Sequence, residues 1–460
     1  MCVTANFRER IFSMKLKKEQ WSSKFGFIMA AAGSAIGLGN LWKFPYVTGT
    51  SGGAVFLLVY VVFLLLLGIP ILLSELSIGR FAGMNAIDSC RKINAKWGFA
   101  GSFGIVGAFG VMSSYCVVGG WVIRCIINAV TDTNMNAEFF GDFSSRTFEP
   151  ILWTFVFIAI TCIIVSGGVS KGIERVSSVL LPILFVFLIS IMIYSLSLPN
   201  AIEGVKFFLV PDFSEINGFS DFMRIALNAM GQVFFSLSLG MGTLITYGSY
   251  LPKNSNLASS TVTIVVLDTL IALIAGFLIL PAVFSFGLEP TGGSGLIFQT
   301  LPVVFSRMKG GSFVAAIFFT LVLFAALTSS ISLLEVIVAW ICDKTKLKRR
   351  SAAIIVSLLI FAVGCLASLS NGAVPELSFG GMSFFELLSF ISDKIIMPLG
   401  GFFICILVGY IWGIPNAAKE ISNDGKLKFG MKWLFSTAVR YIAPALIAII
   451  FVTSVFSFGE

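Results

Sequence analysis

The sequence predicts an all-α protein that crosses a membrane many times and interrupts two of its crossing helices. Three observations predict this class. Of the 460 residues, 57% are hydrophobic and only 12% charged, whereas a soluble domain carries about 25% charged residues. Apolar runs of the length a bilayer demands, roughly 20 residues each, recur eleven times. Two of those runs are broken in mid-course by glycines and small polar residues. Hydrocarbon tolerates a break only where the backbone is buried in protein or lines a cavity.

Taken in order, the chain opens with a basic segment, residues 1–24 (MCVTANFRERIFSMKLKKEQWSSK), which has no small-residue cleavage signal and reads as a cytoplasmic tail. The first run covers 25–50. The second, 54–73 (AVFLLVYVVFLLLLGIPILL), holds no charge at all. The remaining runs fall at 100–127, 149–169, 174–198, 222–249, 256–286, 311–341, 351–369, 385–413 and 434–457. A buried helix of a soluble protein mimics one such run, not eleven in series. Segments 128–148, 199–221 and 287–310 mix charges with Pro and Gly and read as extracellular loops, while 414–433 reads as a cytoplasmic one.

Charge placement orients the spans. With the N-terminus inside, 22 lysines and arginines fall in the inner segments and four (Arg146, Lys206, Arg307 and Lys309) in the outer ones, as the positive-inside rule requires. An odd number of spans then leaves residues 458–460 outside. The net charge of +8 therefore reflects topology rather than a nucleic-acid partner. Histidine is absent, which removes imidazole metal sites and imidazole bases. The eight cysteines show no paired spacing and read as small buried hydrophobes. No nucleophile–base cluster stands out, so an enzyme is not expected.

The two breaks carry the functional signal. The first run contains Gly33, Gly37 and Gly39 beside Ser34 and Asn40; the sixth contains Gly231, Gly240 and Gly242 beside Ser236 and Ser238. Glycine tolerates non-helical dihedrals. Freed carbonyls then suit a cation, and the N–H groups of an outer half-helix suit a carboxylate. One glycine-rich run alone reads equally as close helix packing. Two breaks five spans apart point instead to the paired discontinuous helices of a secondary transporter. Runs 1–5 (residues 25–198) and 6–10 (222–413) would form inverted five-helix repeats, with 434–457 an eleventh span outside them.

The stretch AAGSAIGLGNLWKFPYVTGTSGGAVFLLVYVVFLLLLGIPILLSELSIGR, followed by FFSLSLGMGTLITYGSY, ALTSSISLLE and IMPLGGFFICILVGYIWG, resembles the neurotransmitter:sodium symporter family, and its length is that of the shorter bacterial members. The resemblance implies sodium-coupled uptake of an amino acid through a prokaryotic plasma membrane by alternating access. It also implies two sodium ions, a lipid environment and no obligatory protein partner.

Carried over residue by residue, the resemblance places one sodium on Ala35, Asn40, Ser236 and Asp268, completed by the substrate's carboxylate. The other sodium falls on the backbones of Gly33, Ile36 and Ala325 with the hydroxyls of Thr328 and Ser329. A Thr-Ser-Ser run in an apolar helix also satisfies its hydroxyls by bonding back to its own carbonyls. At position 268 the family more often has asparagine. A carboxylate in TVTIVVLDTLIALIAG is costly and marks a functional site by default. With Ala272 standing where chloride-dependent relatives have serine, Asp268 would supply the negative charge, so no chloride requirement is expected.

The substrate's carboxylate is expected at the N–H groups of Leu38 and Gly39 with the Tyr115 hydroxyl. Its ammonium is expected at carbonyls of Ala35, Phe235 and Ser238 and at Ser329. Gly37 stands where amine-transporting relatives carry aspartate, which favours an α-amino acid. Val111, Phe235, Ser238, Met241 and Leu333 would shape an apolar pocket, favouring a hydrophobic or aromatic L-amino acid. Phe235 stacked on Tyr115 would form a lid.

Lys43 fits the family's outer gate. The usual acid position is Ser389, so Glu386, one turn earlier, is the expected partner. On the inside, Lys18, Trp21 and Asp343 match a network that pins the tail. Gly172 and Pro182 mark an end of the fifth span that relatives unwind. Trp21 reads equally as an interface anchor. The alternatives are an amino-acid sensor on the same fold and an ion channel, although no repeated filter is visible.

Overall fold

A computed structural model describes residues 19–131, 138–214, 216, 218–288, 295–374 and 376–456; Lys18 and residues 458–460 lie outside this set. Among the described residues, nine helices are long and apolar enough to cross a membrane. The number is ten when the bent pair α1 (Lys24–Ala35) and α2 (Gly39–Thr50), which meet at 50°, counts as one span. The nine are α3 (Ala54–Ala82), α5 (Gly98–Thr131 with the turn before it), α7 (Phe148–Ser166), α8 (Val169–Leu196), α12 (Leu257–Ser285), α14 (Gly311–Lys344), α15 (Arg349–Leu369), α16 (Phe384–Ile421) and α17 (Lys432–Thr453). The short α4 (Ala86–Ile93) follows α3.

The expected sixth run is also interrupted. It forms α10 (Phe219–Ser236) and α11 (Thr243–Ser249), separated by residues 237–242. The three long loops are partly helical, with α6 (Glu138–Ser144), α9 (Ala201–Leu209) and α13 (Leu296–Ser306). The one exception to an all-α chain among the described residues is a two-residue ladder pairing Ser378–Phe379 with Met382–Ser383.

Local chemistry sets the ends. Ser23, Asn85 and Asn256 each accept a backbone N–H from their own first turn, capping α1, α4 and α12. At the centre α5 and α14, each 34 residues long, pack along one another. Their middle turns face the two breaks. Gly104 of α5 lies so close to the backbone of Gly242 that a side chain there would collide with it.

The breaks are shorter and differently placed than the glycines alone indicate. Of Gly33, Gly37 and Gly39, only Gly37 lies between helices: Gly33 is inside α1 and Gly39 opens α2. Gly231 lies inside α10. In the second break Ser238 (φ 53°), Gly240 (φ 77°) and Gly242 (φ 67°) are left-handed, a conformation that costs little for glycine and more for serine.

Candidate functional site

The first cluster joins the two breaks. Asn40 at the start of α2, Ser236 at the end of α10 and Asp268 in mid α12 are all fully buried. The Asn40 side-chain amide donates to Asp268 Oδ1 (2.8 Å), to the Asp268 carbonyl (3.1 Å) and to Ser236 Oγ (3.2 Å). Ser236 Oγ donates to Asp268 Oδ2 (2.8 Å), and Asn40 Oδ1 accepts the Gly37 N–H (3.2 Å). Ala35 closes α1 beside them, where the last carbonyls of a helix lack intrahelical partners. Three of the four residues expected to share an ion are thus mutually bonded, and each of the four carries an oxygen, although Asn40 turns its amide nitrogen toward Ser236 and Asp268.

The second cluster lies between α1 and α14. Ser329 Oγ reaches the carbonyls of Ser34 (3.2 Å), Gly33 (3.4 Å) and Ile36 (3.5 Å). Thr328 Oγ1 reaches Ile36 O at 3.5 Å, but its shorter contacts are to Ala325 O (3.0 Å) and Phe324 O (3.1 Å) of its own helix. Thr328 thus bonds back mainly to its own helix, while Ser329 bonds across to carbonyls of α1. Gly33, Ile36, Ala325, Thr328 and Ser329 form one set of oxygens.

Between the clusters the Leu38 N–H donates to the Tyr115 hydroxyl (2.8 Å). The two groups expected to receive a carboxylate are therefore in contact. A cavity of about 250 Å³ extends from here to Lys43 and Asp393. Val111, Tyr115, Phe235 and Leu38 line it, as do Ser114 and Asp393. Met241 and Leu333 are buried but absent from that wall. Ser238 bridges the breaks, its hydroxyl donating to the Ser34 carbonyl at 3.0 Å.

The pairing expected for an outer gate is not the one found. Lys43 pairs with Asp393 (3.3 Å), not with Glu386. Glu386 is used by its own helix: Ser383 and Glu386 form a reciprocal capping box at the start of α16. The expected Phe235–Tyr115 stack is not among the ring pairs of the described residues. Instead the Lys43 ammonium stands 4.1 Å from the Phe235 ring centroid, a cation–π contact that ties this ring to the ion pair. Partly exposed pairs are worth about 1 kcal/mol or less. Asp393→Asn should accordingly raise the labelling rate of a cysteine placed at Ser389 by roughly 5-fold, measured with an impermeant thiol reagent. Glu386→Gln should leave that rate unchanged.

On the inner side Trp21 is buried, donates Nε1–H to the Tyr247 carbonyl (3.0 Å) and packs on Phe27, Tyr247 and Tyr250. It is a core anchor of the tail rather than an interface residue. Asp343 accepts the N–H and side-chain amide of Asn85. Two acids that sequence reasoning passed over hold the tail to α8. Glu174 accepts from the backbone and hydroxyl of both Ser22 and Ser23, and Glu19 accepts the Val169 N–H (2.6 Å). Arg349 joins Glu19 to the buried Glu335, which also accepts from Tyr250. Gly172 sits in a wound π-helical turn, packed against the Ile164 carbonyl, and Pro182 lies inside α8, so in this conformation the segment is not unwound.

A charge inside an apolar run was the signal for Glu335 and Asp393 as it was for Asp268, though it does not state which residue each meets; Glu19 and Glu174, at or before the start of a run, carry no such signal.

Comparison with known proteins bears on the family and the fold. Residues 18–138 and 146–460 match the profile described as the sodium:neurotransmitter symporter family. An uncharacterized sodium-dependent transporter of Bacillus subtilis (strain 168), YhdH, is 40% identical over 446 residues, spanning 95% of this chain and 97% of that protein. An uncharacterized sodium-dependent transporter of Haemophilus influenzae is 36% identical over 459 residues, spanning 96% and 99%. Among solved structures, that of MhsT in complex with L-phenylalanine is similar with a TM-score of 0.87 at 42% identity, covering 95% of this chain and 99% of that one.

Proposed function

This chain belongs to the sodium:neurotransmitter symporter family, and from that premise we propose that it carries a hydrophobic or aromatic L-amino acid into the cell by symport with sodium. Members of the family are transporters, not enzymes. The observation that carries the proposal is Asp268, a buried carboxylate bonded at once to Asn40 beside one helix break and to Ser236 beside the other. Sodium and substrate entering as cargo would meet oxygens there that no longer serve a helix, the arrangement by which discontinuous helices bind ions at mid-membrane.

The first ion would take Ala35, Asn40, Ser236 and Asp268, together with the substrate's carboxylate. The second would take Gly33, Ile36, Ala325, Thr328 and Ser329. The substrate would lie between Leu38, Gly39 and Tyr115 on its carboxylate side and Ala35, Phe235, Ser238 and Ser329 on its ammonium side, with Val111, Met241 and Leu333 around its side chain. The likeness to a structure holding L-phenylalanine supports an apolar side chain. The interrupted pairs α1/α2 and α10/α11 support inverted repeats over 25–198 and 222–413 within eleven spans. Charge placement supports an inner N-terminus and an outer C-terminus in a prokaryotic plasma membrane. Lys43, Asp393 and Phe235 would close the outer path; Trp21, Asp343 and the tail, with Lys18, would close the inner one, and Gly172 and Pro182 would loosen α8 when it opens.

Each sodium moving down the membrane potential supplies about 2.3 kcal/mol per 100 mV. Coupling follows when ion and substrate stabilise the same closed state, as a carboxylate shared between them would. Accumulation of labelled L-phenylalanine in proteoliposomes under an inward sodium gradient, compared with choline, tests the proposal. Accumulation in both media or in neither would refute it, and binding without accumulation would favour the sensor reading.

Two further results are expected from the same preparation. Uptake in chloride-free gluconate should equal that in chloride, because Asp268 already places a carboxylate beside Asn40 and Ser236. Thr328→Ala should raise the half-saturating sodium concentration by roughly 10-fold, given about 1.5 kcal/mol for a hydroxyl removed from a charged partner.

A further inference from the structure

Arg80 stands at the inner end of α3, in the run LSIGRFAG, and is buried, which a guanidinium rarely is unless paired. Its side-chain bonds all leave its own helix. The Nε–H donates to Glu420 Oε1 at 2.8 Å, and the two terminal nitrogens donate to the carbonyls of Ser255 and Glu420. Glu420 also accepts from Lys253 Nζ, at 3.1 and 3.3 Å on its two oxygens. One carboxylate of α16 thus holds a cation from α3 and another from the loop between α11 and α12. Beside this node Phe81 packs on Trp412 of α16, with ring centroids 5.0 Å apart.

The two segments that Glu420 holds belong to one body. Where α3 passes α11, Gly79 lies against the Ile245 carbonyl and Gly248 against the backbone of Leu76, too close for any side chain between them. α16 meets this body at two depths. Midway along, the Gly240 peptide of the second break packs on the backbone of Met397, Gly400 and Gly401. At the inner end the contact is the ionic node. A body pinned at both depths cannot tilt, whereas one pinned only at its middle can. The node is also the contact built to let go. Glu420 stands on the last turns of α16, Ile414–Ile421, which follow a left-handed Gly413 (φ 84°) that no neighbour crowds. Those turns bury Ile414, Ala417 and Ile421 and keep Glu420 partly exposed.

We infer that Glu420 is a positioning residue for the transport cycle: paired with Arg80 and Lys253, it latches the α3–α11 body to the inner end of α16 and is released as the inner path opens. The wall that would move is that of the inner cavity, lined by Ser249 of α11 on one side and by Ala339 and Asp343 of α14 on the other. Arg80 carries most of the latch, because its side chain is 1% exposed and that of Lys253 62%, and exposed pairs hold weakly. The inference rests on the symporter reading above.

Glu420→Gln removes the charge but leaves Arg80 two backbone carbonyls, so the guanidinium is not stranded. The test uses purified full-length protein carrying one reporter, Ser249→Cys in the inner cavity or Ser389→Cys in the outer one. Alkylation by a water-soluble maleimide is followed by mass spectrometry of the reporter's own peptide, which sets the native cysteines aside. Glu420→Gln should speed alkylation of the inner reporter by roughly 10-fold, the scale of a hydrogen bond between charged groups. It should slow the outer reporter, because a protein that opens inward more often is open outward less often. Glu420→Asp, which keeps the charge and shortens the reach, should shift both rates the same way by less, and decides alone if Glu420→Gln does not fold. An unchanged inner rate would overturn the inference. So would a rise at both reporters, the mark of general loosening, or an inner rise with the outer rate unmoved. Sodium-driven accumulation of labelled L-phenylalanine by the wild type judges the symporter reading separately: its absence would refute that reading, while the two alkylation rates still decide for or against the latch.

Discussion

Asp268→Ala should abolish sodium-dependent binding of L-phenylalanine, with a loss of two to three orders of magnitude in affinity. The reason is the density of its bonds. Asp268 receives the Asn40 amide on one oxygen and the Ser236 hydroxyl on the other, and all three side chains are sealed from solvent. Removing one member of such a buried charged cluster costs about 3–5 kcal/mol, and each 1.4 kcal/mol is tenfold. The Asn40 amide would lose an acceptor and the proposed ion its only formal negative ligand from the protein. Asp268→Asn separates shape from charge. It keeps the shape and the Asn40 bond, while the contact with Ser236 reverses because an amide nitrogen donates where the carboxylate accepted; residual binding should persist, but only with chloride in the medium to supply the missing charge. Equilibrium binding with tritiated phenylalanine, titrated with sodium at fixed chloride and then the reverse, checks both outcomes. An alanine variant that binds as wild type would show that the cluster is structural.

Gly37→Asp should be at least as damaging, for steric as much as electrostatic reasons. Gly37 is the one glycine of the first trio that stands between α1 and α2. A Cβ at this position would fall 2.6 Å from the Tyr115 hydroxyl, and closer still to Ser329 Oγ. Those are the groups expected to receive the two ends of an amino acid. An added carboxylate would also oppose the substrate's own across a buried site, where like charges are poorly screened. Binding of L-phenylalanine should fall by roughly 100-fold or more, equivalent to about 3 kcal/mol. Phenethylamine, which lacks the carboxylate, should lose much less as a competitor. Gly37→Ala already introduces the collision and should lie between wild type and Gly37→Asp. Equal losses for phenylalanine and phenethylamine in Gly37→Asp would remove the electrostatic part of the explanation.

The outer gate shows how far a sequence reaches and where it stops. Lys43 was identifiable from its place after the first break, whereas its partner was not. Glu386 and Asp393 lie seven residues apart, nearly two full turns of a regular α-helix, so the sequence alone puts both on almost the same face. They differ in depth by about 10 Å along the axis. Depth depends on how α16 is seated against α2 and α5, and no local pattern states that. Glu386 is also occupied elsewhere, because the chain enters α16 through Ser383 and the capping box claims its carboxylate. The glycines of the breaks teach the same lesson on a smaller scale. Gly33 and Gly231 look like breaks in the sequence and are helical in the structure, because helical bonds remain satisfied wherever packing does not pull the backbone away.

By itself the sequence determined the membrane class, the succession of apolar helices, the two interrupted spans and the oxygen-bearing residues beside them. These follow from composition and periodicity, since lipid penalises every exposed polar group independently of what lies across the bundle. The tertiary structure alone decided which buried acids meet which breaks: Asp268 with Asn40 and Ser236, Asp393 with Lys43, Glu75 with the Gly240 peptide. Each of these contacts depends on the depth and rotation of one helix relative to another. A shift of a single residue turns a side chain by about 100° and moves it about 1.5 Å, so such pairings exist only once the helices have packed.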